Sequence, residues 1–569
     1  MADRAKKNLI LLFGLFLFGA WIRSLDVWRP VDGRVRESWR ECDYAALARN
    51  YFQEGMKFSY PRIDWRGDGP GYAEMEFPII PWSTAVLYKI FGYHPIIGRW
   101  LIWFISLMTM LVFFMLSRYW LPTWGAFAAD FFFILSPLAV RVSNSLQPEG
   151  LMLFFYMLAA YAFVRWLDED RWLWYAISLV ATASAVLVKI PTLHIGIFFL
   201  LLLISRKKAK SLRQGRIWAF GVFAVLPGVL WYLHAHHFWI VYGNSLGVSN
   251  EYHWMGWDLL KDPLVFLKYI LRQVKTEVLY VWTPLGGIVS LAALLYRKRD
   301  RLIRFSLFWL ISLGIYYLVT IRTTADSWAA YYHVVSIPPA ALLIGAAMEF
   351  ARERIRNGRV IQIALGVSAA LSLAIVLAKV LLNLTYKSFV LYSFLLLIFL
   401  AATTLLLFFI FKKPGGPLVP KETPGKRIQA GSAILVSCLL SVFPFQAMQI
   451  SRDLHPHQYL AKYACAQSFK PLIPEGSLIL ASGGNSKDET GRPVASNIPY
   501  MFFWLDRKGF NVPVEQQSLG AVQGFMRRGA RYFVLEREAA RAKPGFKEEL
   551  EKSFSLIAEC EEAYLFRLF

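Results

Sequence analysis

Long apolar runs recur along this chain and restrict its fold more than any other feature. A run of 18 or more residues with almost no charge is long enough to cross a bilayer as a helix. The chain has 569 residues, of which 56% are hydrophobic, so these runs are typical of a polytopic helical membrane protein. Hydropathy predicts about thirteen spans. They lie near residues 8–25, 96–117, 124–142, 150–167, 173–190, 194–205, 217–237, 280–296, 302–321, 333–350, 360–379, 389–411 and 428–447.

The charge distribution predicts the orientation of the spans and argues against a nucleic-acid partner, despite a formal net charge of +23. Basic clusters fall in every second gap between spans, as they do in cytoplasmic loops. They lie at residues 4–7, 206–208, 297–304, 352–359 and 412–427. We therefore expect an integral protein of the bacterial inner membrane with a cytoplasmic N-terminus. Because the number of spans is odd, loop 27–98, segment 237–279 and the C-terminal tail would all lie on the far, extracytoplasmic side.

Two hydrophilic regions have sequence patterns of their own. Loop 27–98 contains amphipathic stretches at 44–52, before Gly55, and at 82–91, before Gly92. Both predict short helices that lie in the membrane interface, with Asp43 beginning the first. Residues 450–569 alternate strand and helix patterns, which predict a small α/β domain with its own core. We therefore divide the chain into a mainly α-helical membrane domain, 1–449, and an extracytoplasmic domain, 450–569.

The patterns in the tail predict individual strands and helices. Strands are predicted within 474–484 and 532–536, a helix over 519–528, and a closing hairpin over 555–569. Cys465 and Cys560 both fall in this tail. A disulfide between them is left open, because spacing in the sequence does not fix the geometry that the bond requires.

Loop 27–98 concentrates ionisable residues that a plain connecting loop does not need. Such groups at a membrane surface are costly and commonly functional. Arginine side chains bind phosphate oxygens in pairs, so a phosphate-bearing substrate explains this crowd better than a helix cap at Asp43, although that structural role stays open. The candidate catalytic carboxylates are Glu41, Asp43 and Glu76. The candidate donor-binding and phosphate-binding residues are Arg40, Tyr60, Arg62, Arg99 and Glu149.

Several candidates could have either a functional or a structural role. Glu74 and Glu76 are two residues apart in an extended segment, which points their side chains to the same side. They could hold a divalent metal or sugar hydroxyls, or simply pair with arginines. Glu149 could act in the site or only favour the start of a helix. His253, a third metal candidate, and His333 are lone histidines for which packing is the simpler explanation.

Together these residues resemble the GT-C superfamily of polytopic glycosyltransferases, in the branch of the protein O-mannosyltransferases and lipid A aminoarabinose transferases. The resemblance covers roughly residues 8–350. It rests on the segments Asp43–Asn50, Glu74–Trp82, Leu87–Gly92, Gly98–Arg99 and Gln147–Phe155. It implies a polyprenyl-phosphate sugar as the donor, which agrees with the lack of P-loop and dinucleotide-binding motifs in the sequence.

The chain departs from this family pattern at two places. Members often carry an acidic pair before the first interfacial helix, whereas here Cys42 separates Glu41 from Asp43. The register of the catalytic carboxylate is therefore open between these two, with Asp43 favoured. Aminoarabinose transferases also have a lysine where this chain has Phe77. An arginine would have to replace that lysine at the lipid phosphate, or the donor differs.

The resemblance implies an inverting glycosyltransferase that moves a sugar from the lipid donor to a protein, lipid or glycan acceptor on the far side. The alternative is a transporter or flippase of lipid-linked sugars, and a third interpretation is a non-catalytic scaffold that displays the tail. Transporters place ionisable residues near the bilayer midplane, whereas the predicted spans look nearly free of charge. The tail would recognise the acceptor or cover the site. The sequence fixes neither the sugar nor the acceptor, and it leaves a requirement for a divalent metal open.

Overall fold

A computed structural model describes residues 2–248, 255–282, 301–354, 459–487 and 497–569, with isolated positions at 370, 446, 449 and 450. The helices of the first three ranges are α1 (Ala2–Ser24), α2 (Ser38–Glu54), α3 (Ile79–Phe91), α4 (Ile97–Trp120), α5 (Thr123–Ile134), α6 (Pro137–Ser143), α7 (Glu149–Glu169), α8 (Trp172–Val188), α9 (Ile195–Lys207), α10 (Gly215–Tyr242), α11 (Asp258–Lys261), α12 (Pro263–Tyr280), α13 (Arg301–Val319), α14 (Ile321–Thr324) and α15 (Ile337–Arg354). Short 3-10 segments lie at Ile190–His194, Ala209–Arg213 and Ser327–Ser336.

Six helical segments of the described residues are long and apolar enough to cross a membrane, or seven if one bent pair counts as a span. The six are Ile97–Trp120, Glu149–Glu169, Ile190–Lys207, Gly215–Tyr242, Arg301–Val319 and Trp328–Glu349. Shorter apolar helices match the predicted spans at 8–25 and 173–190. The predicted spans at 360–379, 389–411 and 428–447, and most of 280–296, lie outside the described residues. The prediction of a mainly helical, polytopic membrane fold is confirmed.

The predicted third span is broken rather than continuous. Helices α5 and α6 meet at a bend of 58° between Ile134 and Pro137. Proline has no backbone N–H to donate, and it disfavours helical geometry in the residue before it. The bend redirects α6, so that the chain reaches Glu149 at the start of α7 through a short buried segment.

The two helices predicted in the first loop are present, but the first begins earlier than expected. Helix α2 starts at Ser38 and ends before Gly55, whose φ of +118° suits glycine. Asp43 therefore lies inside the helix and is buried, so its interpretation as a helix cap is wrong. Helix α3 ends before Gly92 as predicted.

The C-terminal tail folds around a five-stranded sheet. Its helices are α16 (Tyr459–Phe469), α17 (Pro499–Leu505), α18 (Leu519–Arg527), α19 (Arg537–Ala542) and α20 (Phe546–Ser553). Its strands are β1 (Leu478–Ser482), β2 (Lys508–Asn511), β3 (Ala530–Glu536), β4 (Ser555–Glu559) and β5 (Ala563–Arg567). The strand order is β2-β1-β3-β5-β4, with β2, β1 and β3 parallel and β5 antiparallel to both its neighbours. The predicted strands, helix and hairpin are confirmed, and Cys465 is bonded to Cys560.

The two faces of this sheet bury different partners. One face packs against the tail's own helices in a cluster that includes Phe533, Leu550 and Phe566. The other face belongs to a cluster in which Tyr44 and Leu47 of α2 join residues of the tail. The indole of Trp504 in α17 also donates a hydrogen bond to the carbonyl oxygen of Val31, at 2.8 Å. The tail thus has a core of its own, but it also shares a second core with the first loop.

This shared core predicts the effect of removing the tail. A chain that ends at Gln449 should expose the apolar face of α2 to water, and its first loop should lose its fold. We expect rapid proteolytic cleavage within loop 27–98 and loss of lipid-phosphate binding, measured by limited proteolysis and by titration of the detergent-purified protein. A truncated chain with a protease-resistant loop and full lipid-phosphate binding would contradict the packing.

Candidate active site

Three bundle helices, α4, α7 and α8, meet the first loop at one end of the membrane domain, which we call the loop end. Helix α2 is joined there to the start of α4 by the Glu41–Arg99 pair and to the start of α7 by Arg40 and Glu149. The segment before α3 contacts Lys189, which follows α8. The site is therefore assembled from segments that are far apart in the sequence.

A cluster of two cations and two carboxylates lies at the centre of the loop end. Arg40 Nη2 is 2.9 Å from Glu76 Oε1 and 3.1 Å from Glu149 Oε1. Lys189 Nζ is 3.0 Å and 2.6 Å from the same two atoms. The side chain of Glu76 is 13% exposed, and the other three are between 0% and 9% exposed. Glu76 is thus the most accessible member of a nearly buried cluster, which we call the ion cluster.

The environment of the ion cluster favours its charged state. Burial alone would raise the pKa of the Glu76 carboxyl, but Lys189 and Arg40 outweigh burial and hold that pKa well below its usual range. Burial likewise opposes the charge of Arg40, yet Glu149, Tyr331 and Glu76 keep the pKa of its guanidinium above the ordinary value. Glu76 and Arg40 are therefore fixed charges near neutral pH rather than groups that exchange protons.

Asp43 lies beside the ion cluster and behaves differently. Its Oδ1 accepts a hydrogen bond from the indole Nε1–H of Trp65, at 3.1 Å. Burial, with smaller contributions from the carboxylates of Asp64 and Glu76, raises the pKa of Asp43 to about 7 against the opposing effects of Trp65 and Arg40. A carboxyl group with this pKa can accept a proton near neutral pH, as a general base must. Glu76, by contrast, has a lowered pKa and stays ionised.

Lys189 is the member of the ion cluster that sequence reasoning missed. It was counted within the predicted apolar span 173–190, yet α8 ends at Val188 and Lys189 is extended, ahead of Pro191. A single cation between an apolar run and a proline was the available signal. Where the resembled family has a lysine, this chain has Phe77, and the sequence left open whether an arginine takes its place at the lipid phosphate or the donor differs. The structure brings Lys189 to the neighbouring carboxylate, Glu76.

Glu41 and Arg99 form a structural ion pair, which corrects both of their predicted roles. Arg99 Nε and Nη2 each donate to Glu41 at 2.7 Å, and Nη1 donates to the carbonyl oxygens of Asp26 and Arg29. Both side chains are at most 1% exposed. These contacts use four of the five N–H groups of the buried Arg99 guanidinium, and Glu41 is fully buried, so we expect neither side chain to contact a substrate. We remove both from the candidate site.

Arg62 and Tyr60 also lie among partners other than the ion cluster. Arg62 Nη1 donates to the carbonyl oxygen of Glu54 at 2.6 Å, at the end of α2. The ring of Tyr60 packs against Tyr72 and Phe238. The contact of Tyr60 with Phe238 joins the first loop to α10. None of these contacts brings Arg62 or Tyr60 to the ion cluster.

The two carboxylates of the Glu74–Glu76 segment face different partners, which argues against a shared metal. Glu74 contacts Ser245 and lies 3.0 Å from His236 Nδ1, whereas Glu76 belongs to the ion cluster. In the part of the chain that the structure describes, no three His, Cys, Asp or Glu side chains are arranged to hold a metal ion. His253 lies outside the described residues. The described side chains therefore do not fit the proposed metal site.

His333 and several charged residues within the spans have structural partners. His333 is fully buried, contacts Glu277 through Nδ1, and has Nε2 2.7 Å from the carbonyl oxygen of Thr324. Asp130 of α5 accepts a hydrogen bond from Ser117. Arg141 of α6 lies 3.0 Å from Glu37. The expectation that the spans are nearly free of charge is therefore wrong, since buried pairing makes such charges tolerable.

The pairing of Arg99 with Glu41 predicts a loss of stability rather than of binding. Arg99→Met should leave Glu41 buried without its partner and lower the free energy of unfolding by about 3–5 kcal/mol, measured by denaturation in detergent. Arg118→Met, a change at an exposed position near the other end of the same helix, is the matched control. Unchanged stability together with weaker binding of a polyprenyl phosphate would restore Arg99 as a phosphate ligand.

The chain is similar in sequence to one described family over part of its length. Residues 70–233 match the family described as dolichyl-phosphate-mannose-protein mannosyltransferase. This segment includes Glu76, Glu149 and Lys189 but not Arg40 or Asp43. No curated protein sequence matches the chain significantly.

Solved structures share the fold over nearly the whole chain. ArnT from Cupriavidus metallidurans bound to undecaprenyl phosphate has 14% sequence identity and a TM-score of 0.56, with 99% of this chain and 98% of that chain covered. Its apo state gives a TM-score of 0.57 at the same identity and coverage. The Archaeoglobus fulgidus oligosaccharyltransferase tethered to an acceptor peptide has 12% identity and a TM-score of 0.53, with 98% and 74% covered. The likeness predicted from the sequence is thus confirmed at the level of the fold, and the family match over residues 70–233 agrees with it.

Proposed function

We propose that this protein is an inverting glycosyltransferase that moves a sugar from a polyprenyl-phosphate donor to a hydroxyl-bearing acceptor. The family match supports this class of enzyme, since that family is named for a lipid-phosphate sugar donor and for sugar transfer. The fold is shared with a protein solved in complex with undecaprenyl phosphate. Neither comparison favours the transporter alternative.

The observation that carries the proposal is a carboxyl group poised for proton transfer beside two buried cations. Asp43 has a pKa raised to about 7, and Arg40 acts on it electrostatically. Arg40 and Lys189 converge on the same oxygen of Glu76. Transfer from a phosphate-linked sugar needs a base for the acceptor and positive charge for the leaving group. The loop end supplies both.

In the proposed reaction, Asp43 takes the proton of the acceptor hydroxyl as the acceptor oxygen attacks the anomeric carbon. The bond between that carbon and the phosphate oxygen breaks, and polyprenyl phosphate leaves with the electron pair. Attack from the side opposite the leaving group inverts the anomeric configuration. Holding the base and the donor in one geometry lowers the entropic part of the barrier.

Arg40 and Lys189 are the residues we assign to the donor phosphate. A guanidinium can bind two phosphate oxygens at once, and an ammonium adds a compact charge. Glu149 is fully buried against both cations, so we revise its role from donor contact to orientation of Arg40 and Lys189. Glu76, the more exposed carboxylate, is placed to accept hydrogen bonds from sugar hydroxyls.

We also propose that the loop end faces away from the cytoplasm in a bacterial inner membrane. The opposite end carries Arg206, Lys207 and Arg216, which pair with Asp168 and Asp170. An excess of Arg and Lys at one end of a bundle is typical of the cytoplasmic side. A lipid-linked donor suits this arrangement, because it delivers an activated sugar where soluble nucleotide sugars are absent.

Replacing Asp43 by Asn tests the assigned base. The amide keeps the shape but cannot accept the acceptor proton near neutral pH, so transfer should fall about 10²-fold or more. The assay is the release of polyprenyl phosphate by detergent-purified protein from a panel of polyprenyl-phosphate sugars with candidate acceptors. The wild-type rate at low donor concentration should rise with pH through about 7, because Asp43 acts as a base only when ionised.

The control for Asp43→Asn is Glu475→Gln, which changes an exposed carboxyl of the tail. Normal transfer by Asp43→Asn would rule out Asp43 as the base. A detergent assay also separates the alternatives, because a flippase only moves its lipid between leaflets and releases no polyprenyl phosphate from the donor.

Replacing Lys189 by Met tests the assignment to the phosphate. Loss of one charge-assisted contact should weaken the binding of undecaprenyl phosphate by about 1.5–3 kcal/mol, measured by titration in detergent. Lys189→Arg should recover most of the affinity, and Lys207→Met, at the opposite end of the bundle, should not change it. Full affinity in a folded Lys189→Met variant would show that the phosphate binds elsewhere.

A further inference from the structure

We propose that Trp65 is a positioning residue for Asp43, and that the C-terminal domain fixes Trp65 through the edge strand of its sheet. This inference rests on the proposed role of Asp43 as the base. Trp65 is 8% exposed, and its indole is the hydrogen-bond donor to Asp43 Oδ1. Within the described part of the chain, Oδ2 accepts no hydrogen bond. The indole thus holds one oxygen and leaves the other for the acceptor proton.

A single residue of the tail clamps the backbone on both sides of Trp65. The N–H of Gly509, in the edge strand β2, donates to the carbonyl oxygen of Asp64 at 3.2 Å. The carbonyl oxygen of Gly509 accepts from the N–H of Gly67 at 2.6 Å. The first loop therefore pairs with the open edge of the sheet, using backbone groups that an edge strand leaves available.

Side chains fix the same loop to α2 and to the tail. Asp64 contacts Arg49 of α2 and accepts a hydrogen bond from Asn50 at 2.8 Å. Arg49 also lies 2.6 Å from Asp506, just before β2. Arg49 and Asp64 are both buried, so the pair is not screened by water. The residue before Trp65 is thus held by the helix that carries Asp43 and by the tail.

The pairing of the loop with β2 requires a glycine at position 67, because the loop packs closely against the strand there. Gly67 has a φ of +64°, and a Cβ there would lie 2.7 Å from the ring of Phe510 in β2. A side chain at this position would force the loop and the strand apart and would strain the backbone. Gly69, two residues away, would place a Cβ no closer than 3.4 Å to its nearest neighbour, the carbonyl oxygen of Arg66. These two glycines give a matched pair of substitutions.

The charged groups that act on Asp43 come from every side of it. Arg40 lies on its own helix, Glu76 belongs to the segment before α3, and Asp64 and Trp65 belong to the clamped loop. Among these, Trp65 is the direct hydrogen-bond donor, and donation to a carboxylate stabilises its ionised form. Loss of the indole N–H should therefore move the ionisation of Asp43 to higher pH.

The experiment replaces Trp65 by Phe, which keeps an aromatic ring and removes the donor. We expect kcat to fall about 10-fold or more, the pH profile to move to higher pH, and the affinity for undecaprenyl phosphate to stay unchanged. Trp82→Phe is the matched control, because the indole of Trp82 donates to the Met56 carbonyl oxygen instead. If Trp65→Phe fails to fold, benzothienylalanine at position 65 replaces the N–H by sulfur at nearly constant volume.

The role of the tail is tested by Gly67→Ala against Gly69→Ala. Gly67→Ala should reproduce the lower kcat and the shifted pH profile of Trp65→Phe, whereas Gly69→Ala should behave as wild type. An unchanged pH profile in Trp65→Phe would overturn the positioning role. An unchanged profile in Gly67→Ala alone would overturn the part assigned to the tail.

Failure of this inference is distinguishable from failure of the proposed function. If Asp43→Asn abolishes transfer while Trp65→Phe transfers normally, Asp43 is retained as the base and the positioning role of Trp65 is wrong. If Asp43→Asn transfers normally, the proposed function of Asp43 falls. The carboxyl infrared band that Asp43→Asn removes gives a readout independent of activity, and it should titrate at higher pH in Trp65→Phe.

Discussion

The loop end is organised by buried charges that require one another. A buried charge without a partner costs several kcal/mol, whereas a paired and hydrogen-bonded charge is tolerated. Helix α2 brings Arg40, Glu41 and Arg49 into the interior, and each finds an opposite charge on another segment. Any arrangement of the chain that separates these partners is penalised. The pairs therefore specify where α4, α7 and the residue after α8 must meet α2, although each pair adds little net stability.

Asp43 differs from the buried carboxylates Glu41 and Glu76 in the kind of group that contacts it. Glu41 lies against a guanidinium at 2.7 Å, and Glu76 lies between two cations. Asp43 has an indole N–H in the corresponding place. An indole supplies a dipole but no charge, so burial prevails and raises the pKa of Asp43 to about 7. The same helix thus holds one carboxylate in an ion pair and, three helical positions from the cation Arg40, the carboxylate that we propose for proton transfer.

Local features of the chain were predictable, and long-range pairings were not. Apolar runs and glycine stops fix helices such as α3 and α4, because membrane insertion and capping depend on neighbouring residues. The resemblance drew attention to Asp43 and Glu76, and their catalytic roles stay predictions. The sequence alone did not show that Arg99 would form an ion pair with Glu41, since that pairing depends on how α2 lies across the bundle. The role of Lys189 was missed for the same reason, because its partners, Glu76 and Glu149, come from segments distant in sequence.

Because the tail and the first loop share a core, the boundary near residue 450 does not separate two independent domains. The change in composition there is real, and the tail has a core of its own around Phe533. Yet the other face of its sheet is completed by α2, and its edge strand is completed by the loop around Trp65. Loops are usually the mobile part of a site, whereas a base must be held in a defined geometry. Pairing the loop with a folded domain would reconcile these demands, which is the role that we propose for the tail in fixing the geometry of Asp43.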